Sequence, residues 1–217
     1  VVGNVRTHDA VCRRLAKASG YVVISVDYRL APEHKYPAAL EDAYAVTAYV
    51  ANHADSLGVD AHRIVVAGDS AGGNLAAAVC LKARDLGGPV IQQQILIYPV
   101  IEPDFTTGSY RSWGDGYGLT KETMEWFWQQ YLDGGESDRK YVCLANANTA
   151  DLPPAFVLTA EYDVLRDEGK TYARRLEESG IAVRQKCYPG MLHGFVHFAG
   201  MFDDAQLAIH DIAQALP

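Results

Sequence analysis

No apolar run in this chain approaches the ~18 consecutive residues that a membrane-crossing helix requires. Nor does any basic block or basic-aromatic stripe offset the formal charge of −8, from 19 Lys and Arg against 27 Asp and Glu. A surface of that sign repels a phosphate backbone, so no nucleic-acid partner is expected. Cysteine is sparse and without pattern. Cys12, Cys80, Cys143 and Cys187 show no C-x-x-C spacing, and Cys80 and Cys187 fall inside apolar helix and strand patterns. They read as reduced residues of a soluble, cytoplasmic protein, although their even number leaves a disulfide open. Internal repeats and low-complexity segments are missing too. A dinucleotide fingerprint is excluded, because the glycine it needs is replaced by Ser70. The first residues, Val1-Val2-Gly3-Asn4, carry neither a methionine nor a signal-peptide pattern.

What is present is an ordinary globular balance, 49% apolar and 21% charged over 217 residues, enough for one substantial domain over 1–217. Apolar runs at 21–26, 64–67, 94–99, 155–160 and 181–188 read as strands. Between them lie helical patterns beginning near Thr7 as a cap, over 38–52, from Ala71 to Gly87, over 167–179 and over 201–216. Strands alternating with helices imply an α/β fold, a mostly parallel sheet covered on both faces. An insertion over about 103–141 breaks the rhythm. It holds all three tryptophans, Trp113, Trp126 and Trp128, and a helix expected from Lys121 to Leu132 behind Thr120. Insertions over the carboxyl edge of a parallel sheet stand where ligands bind, so this one is expected to cap an apolar pocket.

The most informative stretch is Ile64 to Ala78, a strand that turns into an alanine-rich helix through Gly68-Asp69-Ser70-Ala71-Gly72. G-x-S-x-G between a buried strand and a helix is the nucleophile elbow. Its sharp turn leaves room only for glycine on either side and lifts the serine hydroxyl above the sheet edge. The new helix turns its free N–H groups toward any oxyanion formed on an acyl group attacked there.

A serine hydroxyl needs a base, and the base needs a partner that fixes its tautomer. Only loops leaving the carboxyl ends of strands reach the same edge as Ser70. Of the seven histidines, His193 alone follows a core strand directly, flanked by Gly190 and Gly194. Asp163 leaves the strand that ends at Ala160, whereas Asp167 and Glu168 suit the first turn of the following helix. The order Ser70, Asp163, His193 is that of α/β-hydrolases. His193 and His197 stand four apart like a zinc pair. Gly194 and Phe195 replace the glutamate of that motif and no third ligand offers itself, so no metal is expected.

The motifs Gly68-Asp69-Ser70-Ala71-Gly72-Gly73-Asn74, Asp27-Tyr28-Arg29-Leu30-Ala31-Pro32-Glu33, Tyr98-Pro99, Asp163-Val164-Leu165-Arg166-Asp167-Glu168-Gly169 and His193-Gly194-Phe195 resemble the hormone-sensitive-lipase-like family of α/β-hydrolase carboxylesterases. The resemblance implies a triad of Ser70, Asp163 and His193 and an oxyanion-hole N–H from Ala71. It implies substrate contacts at Asp69, Trp113 and Phe195, and hydrolysis of short to medium acyl esters without metal or cofactor. An amidase, peptidase or acyltransferase on the same triad, or a ligand receptor of the same fold, is the alternative. A homodimer through the 181–188 edge is compatible but not required. The family's His-Gly-Gly-Gly segment, source of further oxyanion donors each worth ~10²–10³ in turnover, would precede Val1, as would N-terminal strands, including one expected between the 21–26 and 64–67 strands, and part of the cap. A parent chain of about 300 residues is therefore expected.

Overall fold

In the computed structural model, residues 1–134 and 139–217 are described; 135–138, inside the insertion expected over 103–141, lie outside them. Four parallel strands form one sheet in the order β1 (Val65–Asp69), β2 (Gln93–Ile97), β3 (Ala155–Tyr162), β4 (Val183–Leu192). The register sets Ala67 against Ile95, Ile95 against Phe156 and Ala160 against Tyr188, with an irregularity between Ala160 and Tyr162. β2 is buried along its whole length, as a strand covered on both faces must be.

Among the described residues, eight α-helices accompany the sheet: α1 (Val5–Ser19), α2 (Ala38–Asn52), α3 (Ala54–Leu57), α4 (Ala71–Leu86), α5 (Gly108–Trp113), α6 (Lys121–Tyr131), α7 (Arg166–Glu178) and α8 (Asp203–Ala215). Successive strand residues point to opposite faces, and two cores follow from that alternation. Leu96 and Val157 join Leu81, Leu165, Leu176 and Trp128 on the α4/α7 side. Ile95, Phe156 and Leu158 join Ala208, Ile209 and Ile212 on the α8 side, where α1 also packs. Among the described residues no helix is long and apolar enough to cross a membrane, and all four cysteines are free thiols.

Two local expectations are corrected. The cap of α1 is Asn4, whose side chain accepts the N–H groups of Arg6 and Thr7. Thr7 sits inside the first turn and returns a hydrogen bond by accepting the Asn4 N–H at 2.9 Å. The more consequential correction concerns 21–26. These residues form no ladder, and between them and β1 lies a cavity of about 660 Å³ lined by Val22, Val26 and Tyr28 on one side and Val66 and Gly68 on the other. Their composition suits a strand, but a ladder needs a neighbour at ~4.8 Å, and the gap to β1 is wider than that.

Candidate active site

β1 ends at Asp69 and α4 begins at Ala71, so the reversal falls on one residue. Ser70 has φ 56° and ψ −117°, a left-handed conformation that costs a non-glycine residue on the order of 1–3 kcal/mol. Its neighbours hold it there. The Ser70 N–H donates to the Ile97 carbonyl at 2.9 Å. The Ser70 carbonyl accepts from the N–H groups of Gly73, Asn74 and Val100 at 3.0, 3.2 and 3.1 Å. Asn74, buried, donates its side-chain amide to the Val100 and Val142 carbonyls, fastening α4 to the loop after β2.

The glycines divide differently from the symmetric expectation. A Cβ on Gly68 would stand 2.1 Å from the Gly72 carbonyl oxygen, and one on Gly73 2.8 Å from Pro99. A Cβ on Gly72 would meet nothing nearer than an Asp69 carboxylate oxygen at 3.9 Å. The tight approach is of Gly68 to the backbone of residue 72, so only the first of the pair lacks space for a side chain.

β3 and β4 deliver two more side chains to this edge. His193 directly follows β4, and its Nε2 lies 3.0 Å from Ser70 Oγ; its Nδ1 lies 2.8 Å from Asp163 Oδ2. Asp163 is fully buried, and its Oδ1 accepts the Leu165 N–H at 2.9 Å. A carboxylate only accepts, so the imidazole carries its proton on Nδ1 and turns the Nε2 lone pair toward the serine hydroxyl. Burial alone would lower the His193 pKa. The Asp163 charge and hydrogen bond outweigh burial and hold it above the ordinary value of 6.5.

Trp113 of α5 meets Tyr162 and Tyr117 edge-on, with ring centroids 4.9 and 4.8 Å away, and Tyr162 immediately precedes Asp163. Phe195 is only 3% exposed and packs on Tyr188 and Tyr98 in the core, which leaves no open face for the expected substrate contact. Asp69 also turns elsewhere: its carboxylate lies 3.0 Å from His197 Nε2 and 3.4 Å from His8 Nε2. Burial raises its pKa, and the two histidines more than reverse that, leaving it far below the carboxylate range. Ala71, the first residue of α4, has no partner for its N–H within the helix.

The sequence places Tyr98 in the 94–99 strand and in a Tyr-Pro motif, whereas β2 ends at Ile97. Tyr98 is fully buried, its ring lies 4.6 Å from that of His193, and its φ of 34° is one of three positive values outside glycine among the described residues. A tyrosine just after a buried strand carries no sequence mark of such a backbone.

Residues 1–197 match the family described as alpha/beta hydrolase fold. The carboxylesterase NlhH of Mycobacterium tuberculosis is 42% identical over 203 residues, which cover 91% of this chain and 64% of that protein. An ethyl acetate hydrolase of Pseudomonas putida is 37% identical over 221 residues, covering 100% and 69%. An esterase of Pyrobaculum calidifontis superposes with a TM-score of 0.96 at 47% identity, covering 100% of this chain and 72% of that one. The chain thus spans under two thirds of the length of the first of these relatives. By fold and by sequence, it belongs to the α/β-hydrolase fold family, in the hormone-sensitive-lipase-like carboxylesterase group.

Proposed function

We propose that this chain carries the catalytic residues of a serine carboxylesterase. His193 Nε2 takes the proton of the Ser70 hydroxyl as Oγ attacks the ester carbonyl carbon. The Ala71 N–H, at the positive end of α4, donates to the oxyanion that results. The protonated imidazole, steadied by Asp163, then passes its proton to the departing alcohol oxygen, and an acyl group stays on Ser70. Water repeats the sequence on that acyl-enzyme, releasing the acid and restoring the serine.

The reading rests on one observation, the unbroken run of hydrogen bonds from Ser70 Oγ through both nitrogens of His193 to Asp163. The strained backbone at Ser70 supports it, since strain of this kind is kept where geometry serves chemistry. Short acyl groups fit the names of similar proteins, an ethyl acetate hydrolase and an acetyl esterase among them. Trp113 and Tyr162 beside Asp163 would bound the acyl or alcohol pocket. The insertion over 103–141 would cap that pocket, and β4, at the sheet edge, would serve a homodimer.

The test is hydrolysis of p-nitrophenyl acetate, with phosphonate labelling as the second readout. Ser70→Ala is expected to lower kcat by roughly 10⁶, as removal of a triad serine does, and to abolish covalent labelling while leaving the circular dichroism spectrum unchanged. Retained turnover or labelling in that variant would refute the assignment.

A further inference from the structure

Spacing along the chain pairs His197 with His193; the fold pairs it with His8 and Asp69. His8 Nε2 lies 3.4 Å from one Asp69 oxygen and His197 Nε2 3.0 Å from the other, and the three donor atoms all lie within 4.8 Å of one another. Donors set tetrahedrally at ~2.0–2.1 Å from a zinc ion stand about 3.3 Å apart. Each imidazole nitrogen lies near that separation from an Asp69 carboxylate oxygen, though from a different one of the two. Bringing all three donors, now within 4.8 Å of one another, onto one ion requires rotation of the carboxylate and of the two rings, which meet edge-on at 82°.

The orientation of His8 points the same way. Its Nδ1 faces the Asn4 carbonyl at 3.2 Å and Thr7 Oγ1 at 2.9 Å. A carbonyl only accepts, so the proton resides on Nδ1, and Nε2 presents a lone pair to a carboxylate oxygen. That juxtaposition is favourable only with a positive charge between the two atoms, either a proton or a metal ion. Ligating histidines are held by this kind of Nδ1–H to carbonyl bond. All three residues line the cavity beside β1, so water can reach a fourth position. Tyr98, whose buried hydroxyl has no hydrogen-bond partner, lines the same cavity.

We propose that His8, Asp69 and His197 bind one divalent transition-metal ion, zinc foremost, with water as the fourth ligand. Two imidazoles and one carboxylate suit zinc, whereas magnesium and calcium take oxygen donors. None of the three ligands belongs to the hydrogen-bond chain of Ser70, His193 and Asp163, so the site stands apart from the esterase reading.

Calorimetric titration of the metal-free protein with zinc chloride, and separately with magnesium chloride, tests this. The expected result is one zinc per chain and no magnesium, with zinc affinity lowered at least ~100-fold in His8→Ala and in His197→Gln. His197→Gln keeps a donor to Asp69 but offers no imidazole. A folded variant, judged by circular dichroism, that no longer binds zinc therefore separates a ligand from a structural tie, even if His8→Ala fails to fold. No zinc binding by the parent chain, or undiminished affinity in His197→Gln, overturns the proposal. So does an affinity that falls with His53→Ala instead, a histidine on another part of the surface.

Discussion

The two flanks of β1 are built unlike each other. On one, β2 to β4 are hydrogen-bonded in register, and Ile95, Phe156 and Leu158 have no measurable exposure. On the other, Val22 and Ile24 are 67% and 47% exposed and face β1 across a cavity. Ser70 sits on the boundary. The base and acid proposed for it come from the paired flank, as do Ile97 and Val100, which share its backbone hydrogen bonds with Gly73 and Asn74 of α4.

After loss of Ser70 itself, the largest expected effect breaks the paired flank at a buried carboxylate. Asp163→Asn keeps the shape of the side chain but lets its amide face Nδ1, favouring the wrong tautomer of His193. A fall of ~10⁴ in kcat is the expected cost. The pH profile sharpens the point. The proposed base works as neutral imidazole, so with its pKa raised above the ordinary value, kcat/KM of the parent is expected to decline as pH drops through that raised pKa. Since burial lowers that pKa and Asp163 raises it, the residual activity of the variant is expected to decline at lower pH than the parent's. An unmoved acid limb would show that Asp163 does not set it.

At the boundary itself, the next test separates two glycines that look equivalent in sequence. Gly68→Ala puts a methyl group 2.1 Å from the Gly72 carbonyl oxygen. No flexible side chain is there to yield, so the turn must shift, and a misplacement of ~1 Å costs about 10²-fold in turnover. Gly72→Ala meets only ordinary contact at 3.9 Å and is expected to keep its fold and helix stability. Thermal unfolding and p-nitrophenyl acetate turnover of both variants check the asymmetry. Equal damage in the two would mean the turn is constrained at residue 72 by something other than space.

Much of this arrangement was legible in the residues, and the misses have physical causes. Strand-to-helix transitions and loop placement bring Ser70, Asp163 and His193 to one edge on paper because a parallel sheet has only one carboxyl edge. Periodicity could not reveal that 21–26 lacks a ladder, since the same apolar pattern suits a paired strand and an unpaired one. Glycine spacing showed that the turn is tight but not which Cβ collides, which depends on the distance between residues 68 and 72 in space. Phe195 beside His193 read as a substrate contact because sequence adjacency says nothing of direction; its ring points into the core. The cluster at Asp69 was invisible for a related reason. His8 and His197 are 189 positions apart along the chain and meet only because α1 and the turn after β4 both pack on the α8 side.

The smallest effect makes the sharpest comparison, because it uses one substitution twice. Ile95→Val, in β2, deletes a methyl group from a site with no exposure and is expected to cost about 0.5–1.5 kcal/mol, read from the urea midpoint. Ile24→Val removes the same atom where nearly half the side chain already meets solvent, and is expected to cost under ~0.5 kcal/mol. The chemistry of the two changes is identical, so any difference reports packing alone. If Ile24→Val costs as much as Ile95→Val, the 21–26 segment is packed in solution as tightly as a sheet strand, and the two flanks of β1 are alike after all.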